Sequence, residues 1–342
     1  MEPATYVMPI RRPAAADDAE LTAYLAEIGR RCELIVVDGS DAASFDAAHR
    51  VWSELGRHVP PDPTRPALNG KVGGVLTGVA LASHERVVIA DDDVRYDAIA
   101  LERTVAALRD VDLVRPQNYF APLVWHARWD TARTLLNRAV GGVDFPGTLA
   151  VRRSALRRTN GYRGDVLFEN LELIRTIEAA GGRVLSPPDL YVRRIPPTAR
   201  HFWSQRPRQA YDEFARPWRL CAYLALAPLA AWALARRRWR RVAFAAAGAV
   251  ALAEGGRRRA GGAAVFPRSA SFFAPIWLIE RSLCSWYALV SWLRGGSRYS
   301  DTRLRTAATS RRVLRRRLRG VRTDGQGAPV HSSERSWRTD VG

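Results

Sequence analysis

The sequence predicts an α/β fold: a mostly parallel, Rossmann-like sheet over residues 1–216, then a helical, membrane-associated region over 217–296 and a basic, partly disordered tail over 297–342. Three observations predict it. Short β-branched runs alternate with amphipathic stretches up to about residue 190. Acidic residues end two of those runs, in VVDGS and ADDD, where open α/β sheets place their ligands. From residue 218 the chain turns apolar and Trp-rich, with arginines at the flanks.

The elements follow in order. Strand YVMPI (6–10) leads to a helix in DDAELTAYLAEIG, with Leu21, Leu25 and Ile28 on one face and acids in its first turn. Strand ELIVV (33–37), helix SFDAAHRVWSEL (44–55) and a Pro-rich loop come next. NGKVGGVLTGVALAS (69–83) opens a helix through glycines, and RVVIA reads as a buried strand. Helix AIALERTVAALRD (98–110) and strand DLVRP (112–116) complete the alternation.

The later segments differ. LCAYLALAPLAAWALA (220–235) is uncharged, VAFAAAGAVALA (242–253) is shorter, and FFAPIWLIERSLCSWYALVSWL (272–293) carries Glu280 and Arg281. A clean span needs roughly 20 apolar residues, and none of the three runs supplies it. Buried core helices would read similarly. Trp and Tyr near the segment ends favour a membrane interface, with interfacial helices as acceptable as full spans. The tail from 320 has no apolar period and reads as disordered.

The formal net charge is +19, from 53 Lys and Arg against 34 Asp and Glu, and Lys71 is the only lysine. An anionic membrane surface or a nucleic acid would attract such a chain. The apolar segments between the arginine blocks favour membrane and speak against nucleic acid, whose grooves need exposed polar stacking surfaces. Cys32, Cys221 and Cys284 form no disulfide or metal spacing, which fits a reducing compartment. The N-terminus lacks a signal-peptide apolar core, so the first part is expected on the cytoplasmic face of the cell membrane.

Three adjacent carboxylates, Asp91, Asp92 and Asp93, repel one another and call for positive charge. An Asp-x-Asp at a strand end suits a divalent cation, because hard cations prefer carboxylate oxygens. Strand periodicity would put Asp91 and Asp93 on one side. A solvated acidic turn has the same composition. Asp38 ends the other strand, and Lys71 sits in a helix entry where N–H groups and an ammonium can meet phosphate.

Taken in sequence order, VMPIRR, VVDGSD, NGKVGGVLTG, ADDDV, FPGTLAVRRSAL (145–156) and NGYRGDVLFENLELIRTIEAAGGRVL (160–185) resemble the family 2 glycosyltransferases of GT-A fold. The likeness covers residues 5 to about 216 and points to the membrane-associated, ceramide-glucosyltransferase and polysaccharide-synthase-like branch. It implies transfer of a sugar from a nucleotide-diphospho-sugar to a membrane-borne, lipid-linked acceptor, with inversion and with Mg²⁺ or Mn²⁺ held by Asp91 and Asp93. It implies donor contacts from Pro9, Asp38, Lys71 and Asp92, with Asp38 on the nucleobase. Glu169 falls where the family keeps its base. The second acid of that pair is Asn170 here, and an amide accepts no proton, so Glu169 is the expected base with Asp165 and Glu172 in reserve. A carboxylate in the first turn of a helix also has a purely structural use.

The branch's Gln-x-x-Arg-Trp becomes Gln205-Arg206-Pro207-Arg208-Gln209. The missing tryptophan argues against a processive synthase. Gln205, Arg206 and Arg208 remain as donor-pyrophosphate contacts. The rival reading is a non-catalytic membrane or nucleic-acid binding protein with a degenerate transferase domain. A nucleotidyltransferase would need a Gly-rich loop after the first strand, and PIRRPAAADD has none.

Overall fold

A computed structural model of the chain describes residues 1–12, 19–65, 67–142, 147–299 and 302–324. The start of the first helix at Asp17, the residues Phe145 and Pro146, and the tail beyond 324 lie outside the described residues. The strands are β1 (Ala4–Ile10), β2 (Glu33–Asp38), β3 (Arg57–Val59), β4 (Arg86–Ala90), β5 (Val94–Arg95), β6 (Leu113–Val114), β7 (Gln117–Phe120), β8 (Thr148–Arg152), β9 (Val184–Leu185), β10 (Tyr191–Arg194), β11 (Ser297–Tyr299) and β12 (Thr302–Leu304). The helices are α1 (Ala19–Gly29), α2 (Ala42–Trp52), α3 (Gly70–Leu81), α4 (Ala98–Ala107), α5 (Trp125–Ala139), α6 (Arg153–Arg158), α7 (Glu169–Ala179), α8 (Ala199–Tyr211), α9 (Pro217–Ala235), α10 (Trp239–Arg258), α11 (Arg268–Ser271), α12 (Ala274–Leu293) and α13 (Arg311–Asp324).

The main sheet runs β3-β2-β1-β4-β8-β6-β9. The first four strands are parallel, and β8 enters antiparallel between β4 and β6. Both faces are covered, so the strands read as continuous apolar runs. Tyr6, Met8, Leu34, Val36 and Val88 feed one core. Their neighbours Val7, Ile35, Val37, Val87 and Ile89 feed the other. This is the two-residue alternation of a pleated strand.

Helix α3 lies tight on β1. A Cβ at Gly78 would sit 2.3 Å from Val7 Cγ1, and one at Gly74 would sit 2.9 Å from Pro9 Cβ. These glycines let the helix close down, and its first turn is thereby fixed beside the strand ends. Asn69 caps that turn, accepting from Lys71 N at 3.2 Å, and Asn69 Nδ2 donates to Val166 O at 3.3 Å.

A second sheet, β5-β10-β7, stands beyond the carboxyl end of β4. Helix α5 between these regions was not foreseen from the sequence. It buries Asp130, Thr131, Thr134 and Arg138 along with its leucines, so its apolar period is weak.

Helices α10, α11 and α12 share a core with α5, built on Leu135, Leu136, Ala253, Phe266 and Trp277. They are therefore joined to the sheet region rather than tethered to it. Helix α9 differs, since only Leu220 on it is buried. It is long and apolar enough to cross a membrane by length and composition, with 6% of its apolar window buried. The sequence reading found only 16 uncharged residues there; the helix gains length by starting at Pro217 and including Arg219.

Helix α13 runs to Asp324, a few residues into the stretch that the sequence reads as disordered. After the β11–β12 hairpin the chain returns to the start of α7. Leu167 N donates to Thr306 O, Phe168 N to Ala307 O, and Thr309 N to Glu172 Oε2 at 2.6 Å. Helix α13 then packs along α7, with Leu314 buried and Arg311 paired to Glu178 at 2.7 Å.

Candidate active site

The carboxyl ends of β1, β2 and β4, the N-termini of α3 and α7, and the end of α8 enclose a cleft of ≈ 950 Å³. That is near the upper end for a small-molecule site. Pro9, Lys71, Asp91, Asp92, Asp93 and Glu169 line it, as do Gln205 and Arg208.

The aspartates reach the cleft by a route other than strand periodicity. Residues 91–93 form a turn between β4 and β5, closed by Val94 N donating to Asp91 O at 3.1 Å. The turn aims Asp91 and Asp93 at one cation, Arg194 on β10. Arg194 Nε donates to Asp93 Oδ2 at 2.8 Å, and its Nη2 lies 3.7 Å from Asp91 Oδ2. Opposite it, Lys71 Nζ bridges Asp91 Oδ1 at 2.5 Å and Glu169 Oε1 at 2.7 Å. Helix α3 thus carries the ammonium to two acids that are 78 residues apart in the chain (169 − 91).

The electrostatics follow this wiring. Burial alone would lower the Lys71 pKa, but Asp91 and Glu169 outweigh it and raise it. Burial would raise Glu169, yet Lys71, with help from Arg208, brings it below the usual glutamate value. Asp91 is pushed up, first by burial and then by Asp93, against Lys71 and Arg194. Three carboxylates, Asp91, Asp93 and Glu169, face two close cations, Lys71 and Arg194, so the cluster favours further positive charge.

The residues fit a divalent cation on one further point. Asp93 Oδ1 is buried and has no hydrogen-bond partner. A carboxylate oxygen left this way on a cleft wall, beside Asp91, is the donor type that Mg²⁺ or Mn²⁺ takes. Among the described residues no cluster of three His, Cys, Asp or Glu ligands stands ready, so a cation would need oxygens from a bound ligand as well.

Three expected site residues are employed elsewhere. Asp38 does not face the cleft: it is buried, held by Ser40 N at 2.9 Å and His58 Nε2 at 3.2 Å. Burial favours its protonation, but these hydrogen bonds prevail and lower its pKa. Asp165 pairs with Arg163, Nε to Oδ1 at 2.7 Å, away from the cleft. Arg206 is 1% exposed and lies behind the wall. It donates to Asp130 Oδ1 at 2.8 Å, Gln209 Oε1 at 2.9 Å and Glu280 Oε2 at 3.0 Å. Burial would raise Asp130, but Arg133 and Arg206 hold it down at about 2. Arg206 therefore ties α8 to α5 and α12 and makes no wall contact. The reserve acid Glu172 is fully buried and caps the returning Thr309.

Arg194 and Asp212 are two cleft residues that the sequence did not point to. Asp212 begins the 3-10 turn after α8. Its carboxylate lines the cleft with no hydrogen bond or ion pair to a described residue, and burial, then Glu169 and Glu213, lift it to about 8 against Arg208 and Arg281. Its sequence signal is the acid pair Asp212-Glu213, two residues beyond the Gln205–Gln209 stretch.

No protein-family profile and no curated protein sequence match the chain. Solved structures do. A mannosyltransferase from Pyrobaculum calidifontis, PcManGT, in complex with GDP-Man and Mn²⁺, is 23% identical over 83% of this chain and 87% of that one, with a TM-score of 0.50. S. aureus TarS 1-349 with UDP-GlcNAc is 14% identical over 60% and 61%, at 0.41. Glucosyl-3-phosphoglycerate synthase from Mycobacterium tuberculosis with Mg²⁺ and UDP is 21% identical over 56% and 69%, at 0.38. The fold is that of the GT-A nucleotide-sugar transferases.

Proposed function

We propose that the chain transfers a sugar from a nucleoside-diphosphate sugar to a lipid-borne acceptor at a membrane surface, with inversion at the anomeric carbon. The observation that carries this is the convergence of Asp91, Asp93, Lys71 and Glu169 in one cleft at the strand ends of a GT-A fold. PcManGT, bound to GDP-Man and Mn²⁺, supports a nucleotide-sugar donor and a metal by analogy.

In this reading Asp91 and Asp93 hold Mg²⁺ or Mn²⁺, which when bound neutralises the donor diphosphate as it leaves. Lys71 and Arg208 add positive charge on the same cleft wall. Glu169 accepts the proton of the acceptor hydroxyl. The hydroxyl oxygen bonds to the anomeric carbon, and the electron pair of the breaking C–O bond leaves with the diphosphate. One displacement with one base inverts the centre. Lys71 must give up part of its hold on Glu169 before that carboxylate can take the proton, and an incoming diphosphate offers the ammonium another anion. Titrating the protein with UDP-, GDP- and dTDP-sugars, each with and without Mg²⁺, tests this; no binding to any of them overturns it.

The membrane part rests on α9, α10 and α12. Trp218, Trp239, Phe244, Leu283 and Leu293 are all at least 59% exposed on them, and Phe272, between α11 and α12, is exposed beside them, far more apolar surface than scattered residues provide. At the α9–α10 turn Arg238 stacks over Trp232 at 4.4 Å, a pairing suited to an interface. The catalytic cleft would face the cytoplasm at the cell membrane. We predict that membrane fractions washed with 1 M salt, which shortens the screening length to about 3 Å, retain the protein. Release by salt alone would show that only surface charge holds it.

A further inference from the structure

Glu169 opens α7 without a side-chain N-cap. Phe168 holds the cap position and has no oxygen to give the first N–H groups of the helix. The loop before it is fastened from two sides instead. On one side is the cap of α3: Asn69 N donates to Gly164 O at 2.7 Å, and Asn69 Nδ2 donates to Val166 O. On the other side is the returning segment 305–309, whose Thr306 O and Ala307 O accept from Leu167 N at 3.0 Å and Phe168 N at 2.9 Å. Lys71 belongs to the first fastening. The second therefore helps to set how close Glu169 stands to it.

The segment is itself clamped at one residue. Thr309 is 5% exposed, and three side chains take its three polar atoms. Its N donates to Glu172 Oε2, its O accepts from Arg175 Nη1 at 3.0 Å, and its Oγ1 accepts from Arg163 Nη1 at 3.3 Å. Glu172 and Arg175 lie on α7, in the turns that follow Glu169. Arg175 also donates from Nη2 to Ala215 O at 2.9 Å, at the end of the 3-10 turn that Asp212 begins. Behind these bonds Leu304 and Ala307 are buried against Leu167, Ala210, Tyr211 and Ala288. None of residues 304–309 lines the cleft, yet they brace both elements that bring an acid to it from this side.

We propose that segment 305–309, through Thr309, is a positioning element for the base: it holds the start of α7 so that Glu169 meets Lys71. A displacement of about 1 Å made far from the reacting atoms can cost about 10²-fold in rate. This rests on the transferase reading above and adds to it a residue that touches no substrate.

The effect has a definite sign. Lys71, with Arg208, holds Glu169 low, while Asp212 and the Tyr162 hydroxyl face it from other elements. Loosening the segment lets Glu169 draw back from Lys71, so its pKa rises toward the ordinary glutamate value. A base works ionised, so the acid limb of activity moves to higher pH.

The test compares full-length wild type with Thr309→Gly, Thr309→Ser and Arg175→Met. Thr309→Gly loosens the segment and changes no charge. One readout is a carboxyl carbon NMR titration of Glu169, assigned by its loss in Glu169→Gln. Another is amide exchange at Leu167 and Phe168. The third is kcat and KM for release of nucleoside diphosphate from UDP-glucose or GDP-mannose, with Mg²⁺ and with water as acceptor. In Thr309→Gly and Arg175→Met both amides should exchange faster and Glu169 should titrate at higher pH. In Arg175→Met kcat should fall at least about tenfold with KM within about twofold, the mark of a misplaced group rather than a lost donor contact. Thr309→Ser, which keeps the hydroxyl, should restore most of the loss. Faster exchange with an unmoved Glu169 titration would overturn the proposal, because the segment would then be structural alone. So would a kcat that falls equally at every pH, or a KM that rises alone. If Arg175→Met does not fold, Thr309→Gly decides. Failure of wild type to bind either nucleotide-sugar would overturn the transferase reading, and with it the base to be positioned; normal binding with an unmoved carboxyl overturns only this inference.

Discussion

Asp93→Ala is expected to abolish divalent-cation-dependent nucleotide binding while leaving the fold intact. Asp93 combines one oxygen committed to Arg194 with another, Oδ1, that is buried and unpartnered. Removing the side chain deletes the oxygen available to a cation and frees Arg194 for the diphosphate. Metal-independent binding of a nucleotide should then persist weakly, or even gain, while the Mg²⁺ or Mn²⁺ increment disappears. Loss of a metal's charge stabilisation, several kcal/mol, lowers turnover by roughly 10²–10³-fold. The measurement is a nucleotide titration with and without cation, paired with a thermal melt. An unchanged cation increment would sink the Asp91–Asp93 assignment.

The second large effect concerns the base. Glu169→Gln should lower turnover by roughly 10²–10⁴-fold with donor affinity retained, since Asp91 and Asp93 are untouched. The pH profile separates Glu169 from Asp212. A base must be ionised to work. Glu169 lies below the ordinary glutamate value, so its loss of activity falls in acid, below that range. Asp212 sits at about 8, so a reaction using it would climb as pH rises through about 8. A wild-type profile flat from 6 to 9, together with a dead Glu169→Gln, assigns the proton to Glu169. A rise through 8 that vanishes in Asp212→Asn moves it to Asp212, and full turnover in Glu169→Gln rules Glu169 out.

The sheet was legible because both of its faces are buried, which writes strands as unbroken runs such as ELIVV and RVVIA. The cleft acids were legible because three adjacent aspartates have few uses at a strand end. Other features left no such mark. Helix α5 hides its inward face behind Asp130, Thr131 and Arg138. Arg194 is one arginine among dozens, and only the fold of β10 beside the β4–β5 turn distinguishes it. Arg206 and Asp38 carried the right residue type in the right motif, yet burial turned both inward to local partners. The motif specified a chemistry, and the packing decided whether the cleft received it.

The Arg206 junction has a consequence for how such a chain can be inherited. Helix α8 lends Gln205 and Arg208 to the cleft while Arg206, between them, is anchored on Glu280 of α12 and Asp130 of α5. A cut after residue 216 would part Arg206 from Glu280, leaving the guanidinium with Asp130 alone and Glu280 without its arginine, and would bare Leu135 and Leu136. Breaking a buried pair from one side costs about 3–5 kcal/mol, a large part of a domain's net stability. The half that would hold a sugar donor and the half that would touch lipid are therefore not interchangeable parts. Recombination that brought this GT-A domain a new set of apolar helices would have to bring a matching acid at position 280, so the two halves diverge together or not at all.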